Sequence, residues 1–180
     1  MKRLRQLLVL FGFTILLGAC AQHEFCSENC SKPTETPTIN RMTMKVFEKQ
    51  DVYLMPKGDT LKIILPTDQF FRFNSPTIKN DKKATLNQVA DLLQLYGQTA
   101  SVKIVGYTDA VASPGYSQRL SEMRAQAILS YFWSRGLDAE HLYAVGQGQQ
   151  NLVASSNDVM ANGANRRIEI IVHAHCTSCL

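Results

Sequence analysis

The 23 positions from Pro114 to Gly136 constrain this chain more than any others. Pro114 suits the start of a helix and Gly136 its end. Between them Leu120, Met123, Ala127, Ile128 and Tyr131 recur at helical spacing. A helix of this length has to lay such a stripe on a core. Arg124 stands on the stripe's edge, one turn from Leu120 and one from Ile128. A partly buried guanidinium is costly unless something meets it. The preceding run "ASVKIVGY" reads as a buried-type strand, and Asp109 lies at its mouth. The acid and the base either neutralise each other or stand apart to grip a ligand carrying both charges.

The rest of the chain builds a frame around that helix. "MTMKVFEKQDVYLMP" and "DTLKIILP" read as two strands joined by the turn Pro56-Lys57-Gly58-Asp59. "DQFFRFN" reads as a further extended piece. Lys79 to Gly97 turns helical, with Leu86, Val89, Ala90 and Leu93 on one face, Asp81 as a cap and Gly97 as the stop. "HLYAVGQG" is a short strand, a polar loop runs to about residue 161, and "NRRIEIIVHA" is the last strand. The order predicts an α+β fold with both helices on one face of a mixed sheet.

The first residues belong to export rather than to the fold. Lys2, Arg3 and Arg5 precede the apolar "LLVLFGFTILLGAC", a stretch too short for a stable membrane span. Its end, Leu17-Gly18-Ala19-Cys20, resembles the lipobox of bacterial lipoprotein precursors. That resemblance implies cleavage after residue 19 and acylation of Cys20. With Ala rather than Asp at position 21, it implies the outer membrane, with the domain in the periplasm. Without the three cations of the signal, 16 basic residues face 15 acidic ones, and no clustered basic face suggests nucleic acid. Residues 20–40 read as a lipidated N-terminus and tether. Residues 41–67 form an N-terminal hairpin extension, 68–175 the main domain and 176–180 a cysteine-containing tail.

Cys26, Cys30, Cys176 and Cys179 remain as disulfide candidates, and four cysteines allow three connectivities. An oxidising compartment favours disulfides. Cross-pairing would close a loop of about 150 residues and stabilise the fold by several kcal/mol in the chain-entropy model. A four-thiolate zinc site is the rival, although the glycines of zinc knuckles are missing.

"GYTD" (106–109), "RLSEMRA" (119–125), "GL" (136–137), "VGQG" (145–148) and "NRRIEI" (165–170) together resemble the OmpA-like peptidoglycan-binding domain, also found in peptidoglycan-associated lipoproteins. The resemblance spans about residues 68–173 and implies a βαβαβ-type domain. The ligand it implies is the meso-diaminopimelate side chain of the cell-wall peptide. The free end of that side chain carries an ammonium and a carboxylate on one carbon. The family pattern places Asp109 on the ammonium and Arg124 on the carboxylate, where a planar fork outperforms Lys. It adds Thr108, Asn74 and Arg166 to the peptidoglycan-binding set and leaves Asn165 to organise a turn. The rim departs from the pattern at Arg72, Ser117, Gln149, Leu152 and Ala161-Asn162.

The sequence holds no nucleophile elbow, no paired catalytic carboxylates and no phosphate loop, so no enzyme is expected and no cofactor is implied. Two functional readings follow. One is an outer-membrane lipoprotein that holds peptidoglycan noncovalently. The other is a scaffold subunit of an envelope-spanning machine, because small lipoproteins of this family occur in type IVB (Dot/Icm) secretion systems. The altered rim and the aromatic run Tyr131-Phe132-Trp133 are the features that a pure wall anchor would not need.

Overall fold

Strand β5 (Arg167–His173) is the middle of the sheet, and its sequence shows why. Ile168, Ile170 and Val172 alternate with Arg167, Glu169 and Ile171, and all but the last of these six are buried, so both faces are covered. The structure, a computed structural model, describes residues 38–97, 100–155 and 159–174. The lipidation candidate Cys20 and the four other cysteines lie outside the described residues, as do the signal segment and the tail.

Among the described residues the sheet has five strands. β1 (Tyr53–Lys57) and β2 (Thr60–Pro66) form an antiparallel hairpin whose turn includes Gly58 at φ 57°. β2 in turn pairs antiparallel with β5, and β5 pairs antiparallel with β3 (Ser101–Gly106). Only β3 and β4 (Leu142–Gly146) run parallel, and the long helix between them supplies the crossover that parallel strands require. The expected mixed sheet is therefore present, and the N-terminal hairpin is its integral flank.

Both main helices cover one face. Leu61, Ile63 and Leu65 of β2, Val102 and Ile104 of β3, and Ile168, Ile170 and Val172 of β5 point to that side. Leu86, Val89, Ala90 and Leu93 meet them from α3 (Lys83–Gln94), and Ala125, Ile128 and Phe132 from α4 (Pro114–Ser134). Fully burying one such side chain stabilises the fold by about 1.5–3 kcal/mol. The opposite face carries the buried pair Arg167–Glu169, joined at 2.8 Å, with Lys62 at 2.9 Å from the same carboxylate. Arg167 also lies 4.0 Å over the Tyr107 ring.

Several local expectations are corrected. Residues 41–48 are not strand but helix α1 (Arg41–Glu48), because Asn40 accepts a 2.8 Å bond from the Thr43 amide and Phe47 turns into the core. Asp51, at φ 63°, then turns the chain into β1. "DQFFRFN" is not extended throughout. It begins as the single turn α2 (Thr67–Phe70), which lets the adjacent Phe70 and Phe71 both enter the core. A strand would have sent them to opposite faces. Asp81 does not cap α3 but lies in the 3-10 turn Asn80–Lys82 before it. The polar loop contains a short helix, α5 (Val159–Asn165).

The buried side of α4 is rotated from the expected stripe. It consists of Ser117, Leu120, Ser121, Arg124, Ala125, Ile128 and Phe132, whereas Met123 is exposed. The cause is close backbone packing. A Cβ at Gly106 would strike the Ser121 backbone, and one at Gly146 the Glu122 backbone. Small residues therefore face the strand ends, and the rotation carries Arg124 to the inside of its helix.

Candidate functional site

The loops at the C-terminal ends of β3 and β4 are fastened to the first turns of α4. Gln118 Nε2 donates to the Gly146 carbonyl at 2.7 Å, and the Gly148 amide donates to Ser121 Oγ at 2.9 Å. The Thr108 amide reaches the Gly148 carbonyl at 2.7 Å, so both loops move as one piece with the helix. Gln149 Nε2 adds a bond to Ser117 Oγ at 3.1 Å, a contact between two of the altered rim positions. This knitting fixes Thr108 and Asp109 at the mouth of a cleft of about 520 Å³.

The cleft gathers Asn74, Thr108, Asp109, Arg124 and Arg166, all the residues assigned to ligand on the family pattern. It does not pair them as bare charge-matching suggests. Asp109 Oδ2 accepts a 2.7 Å bond from Arg166 Nη1, not from Arg124. Asp68, which the sequence did not single out, takes the other edge of Arg166. Its carboxylate accepts from Nε at 3.0 Å and from Nη2 at 2.6 Å. The Arg166 guanidinium is thus shared by two carboxylates, and its pKa is raised, chiefly by the bonds to Asp68. The Arg166 carbonyl also accepts from the Thr67 amide at 2.9 Å, which sets Asp68 at the start of α2 beside its partner.

Arg124 is only 5% exposed, and no described carboxylate pairs with it. Its Nε donates to the Ser75 carbonyl at 3.1 Å, and its guanidinium lies 5.5 Å over the Phe71 ring. The ring and the carbonyl orient the fork without cancelling its charge. Burial lowers its pKa, and the carboxylates of the cleft act on it only at longer range. Thr108 Oγ1 is buried with no hydrogen-bond partner among the described residues. Buried polar atoms without partners are rare, and this one lines the cleft.

Asn74 sits in the turn between Arg72 and Thr77 at φ 47°, where a short polar side chain is tolerated. Asn165 is fully buried, and its Oδ1 accepts from the Val153 amide at 2.8 Å and the Ala154 amide at 3.1 Å. It organises the loop ahead of β5. Of the aromatic run, Phe132 is core, Tyr131 bonds Asn87 Oδ1 at 2.7 Å, and Trp133 is exposed. His141 lies at 3.6 Å from Asp138, away from the cleft.

Residues 70–166 match the family model described as the OmpA family. The chain belongs to the OmpA family. Outer membrane protein A of Bordetella avium is 33% identical over 115 residues, covering 64% of this chain and 59% of that protein. The cell wall anchor of the type VI secretion system from Pseudomonas aeruginosa has a similar structure, with a TM-score of 0.68 and 25% identity over 78% of this chain and 100% of that one. The peptidoglycan-associated lipoprotein of Burkholderia pseudomallei superposes with a TM-score of 0.52 at 27% identity, over 58% of this chain and 87% of that one. A protein of Gloeobacter violaceus named Photosystem I P700 chlorophyll a apoprotein A2 is 35% identical over 144 residues, 76% of this chain but 16% of that protein. The chain spans 59% of the length of the Bordetella avium relative and 16% of the Gloeobacter violaceus one.

Proposed function

We propose that this OmpA family member anchors to the cell wall by noncovalent binding of the diaminopimelate residue of peptidoglycan. The observation that carries the reading is the buried Arg124, oriented toward a cleft and paired with no described carboxylate. The group Asp68–Arg166–Asp109 contains two carboxylates and one guanidinium, so it carries one net negative charge. Arg124 supplies one positive charge across the same cleft. A carbon bearing an ammonium and a carboxylate matches that polarity. Its ammonium would sit on Asp109 Oδ1, which among the described residues holds only a 3.4 Å contact from the Val111 amide. Its carboxylate would take the Arg124 fork, and Thr108 Oγ1 would complete the shell.

The proposal extends to the envelope. Acylated Cys20 would hold the chain at the outer membrane, with residues 21–40 as tether and the domain in the periplasm. Two proteins of similar structure, a cell wall anchor and a peptidoglycan-associated lipoprotein, support this reading. The test is a pulldown on purified sacculi, comparing the full chain with Asp109→Ala and Arg124→Ala and titrating free meso-diaminopimelate. Both substitutions and the competitor should remove binding. A folded wild-type chain that stays in the supernatant would sink the reading.

The second reading is a scaffold subunit of a secretion apparatus of the type IVB kind, and exposed aromatics favour it. Trp133 is 62% exposed on α4, and Phe73 is 93% exposed at the rim. Co-purification of envelope lipoproteins that is lost on Trp133→Ala, with sacculus binding unchanged, would support it.

A further inference from the structure

The clamp accounts for Asp68, Asp109, Arg124 and Arg166, whose charges sum to zero, but the cleft holds two more cations. Arg72 and Lys79 line it as well, and no further carboxylate among the described residues does. Arg72 is exposed and has no side-chain hydrogen bond or ion pair among the described residues. Lys79 Nζ donates to the Asp68 carbonyl at 2.9 Å, a neutral partner that leaves its charge uncompensated.

Both cations are built into the site rather than scattered on a surface. Phe71 bridges Ile78, the Arg72 amide bonds the Thr77 carbonyl at 3.0 Å, and the Ser75 amide bonds the Arg72 carbonyl at 3.1 Å. The Lys79 amide closes the loop on the Phe70 carbonyl at 2.9 Å. The same loop gives Arg124 its Ser75 carbonyl, so the backbone that carries both rim cations is held against the clamp. A ligand with only a zwitterionic end has no net charge and leaves both rim cations unanswered. A ligand with further carboxylates answers them.

We propose that the cleft selects a stem peptide bearing at least one free carboxylate beyond the gripped zwitterion, and that Arg72 is the residue that meets it. The proposal rests on the clamp reading above. Its substrate class is the unamidated, carboxylate-rich wall peptide, and its consequence is discrimination against peptides whose outer carboxylates are amidated. An exposed ion pair is modest, so Arg72→Gln should weaken the acidic peptide by about three- to fivefold. The preference should shrink as salt is raised.

The test is titration calorimetry of the full chain with two synthetic tripeptides of alanine, γ-linked glutamate and meso-diaminopimelate. One has all carboxylates free. The other is amidated on the glutamate and on the diaminopimelate carboxylate outside the zwitterionic end. The acidic peptide should bind several-fold tighter, and Arg72→Gln should bring the two together without changing the amidated one. Equal binding of both peptides by the wild type, with Arg124→Ala still abolishing it, would overturn the subsite and leave the clamp standing. Failure of both peptides to bind would overturn the clamp and the subsite together. Arg72 is exposed, so its substitution leaves the core intact.

Discussion

Arg124 is the residue where stability and function pull in opposite directions. Its guanidinium is buried beside Phe71 and Ser75 without a described counter-charge, an arrangement that costs desolvation and recovers it only in part. Arg124→Met should therefore abolish sacculus binding yet raise stability by about 1 kcal/mol, because an apolar chain of similar length suits the site. Urea unfolding of the two proteins checks it, and a lower midpoint for the variant would make Arg124 a structural residue. Glu169 behaves in the opposite way. Burial alone would raise its pKa, but bonds from Arg167 and Lys62 outweigh burial and leave it below the ordinary 4.5. A depressed carboxylate stabilises the fold fully above the unfolded value and loses that contribution as pH falls through the folded one. Stability should fall below about pH 4.5 more steeply in the wild type than in Glu169→Gln, as read from urea midpoints between pH 7 and pH 3. The sequence made Asp109, Arg124 and Thr108 legible because they sit in fixed motifs beside a strand end and on a helix. Asp68 was not legible. Its role depends on α2, a single turn whose sequence reads as extended, and on a partner 98 positions away.

At the scale of elements, the decisive contact is that of α4 with the ends of β3 and β4. Gly106 and Gly146 let the helix backbone come so close that its small residues, Ser117, Ser121 and Ala125, face the sheet. The stripe read from the sequence followed the large apolar residues and included Met123, which is exposed. Hydrophobic spacing could find the helix but not its rotation, because the packed face is chosen by what is small enough to fit. The same blindness explains α1. Its one core residue, Phe47, is followed within a few positions by strand β1, so the sequence of the two reads as a single strand. Gly146→Ala tests the close approach. The added Cβ meets the Glu122 backbone, which cannot give way without moving α4. The expected cost is about 1–3 kcal/mol in urea unfolding. Binding should weaken as well, since the same shift displaces Arg124 from Asp109. A variant as stable as the wild type would mean that the helix sits farther from the sheet.

For the whole molecule, the span that carries the family pattern and the unit that can fold are different things. The family match covers residues 70–166, and every residue of the proposed clamp except Asp68 lies within it. The sheet does not. β5 begins at Arg167 and β2 ends at Pro66, and these two strands pair along seven positions. Without them β3 and β4 would form a parallel pair with an open edge, and the core would lose Leu61, Ile63, Leu65, Ile168, Ile170 and Val172. At roughly 1.5–3 kcal/mol for each buried aliphatic side chain, that loss is as large as the net stability of about 5–15 kcal/mol typical of a domain. A fragment limited to residues 70–166 should therefore show no cooperative urea transition, while residues 38–174, which contain every described element, should unfold in one step. Circular dichroism through a urea series separates the two outcomes. A cooperative transition in the shorter fragment would mean that α3 and α4 hold β3 and β4 unaided. The cleft would then not depend on the outer strands, although Asp68, at the start of the next element after β2, fixes Arg166 from just outside the matched span.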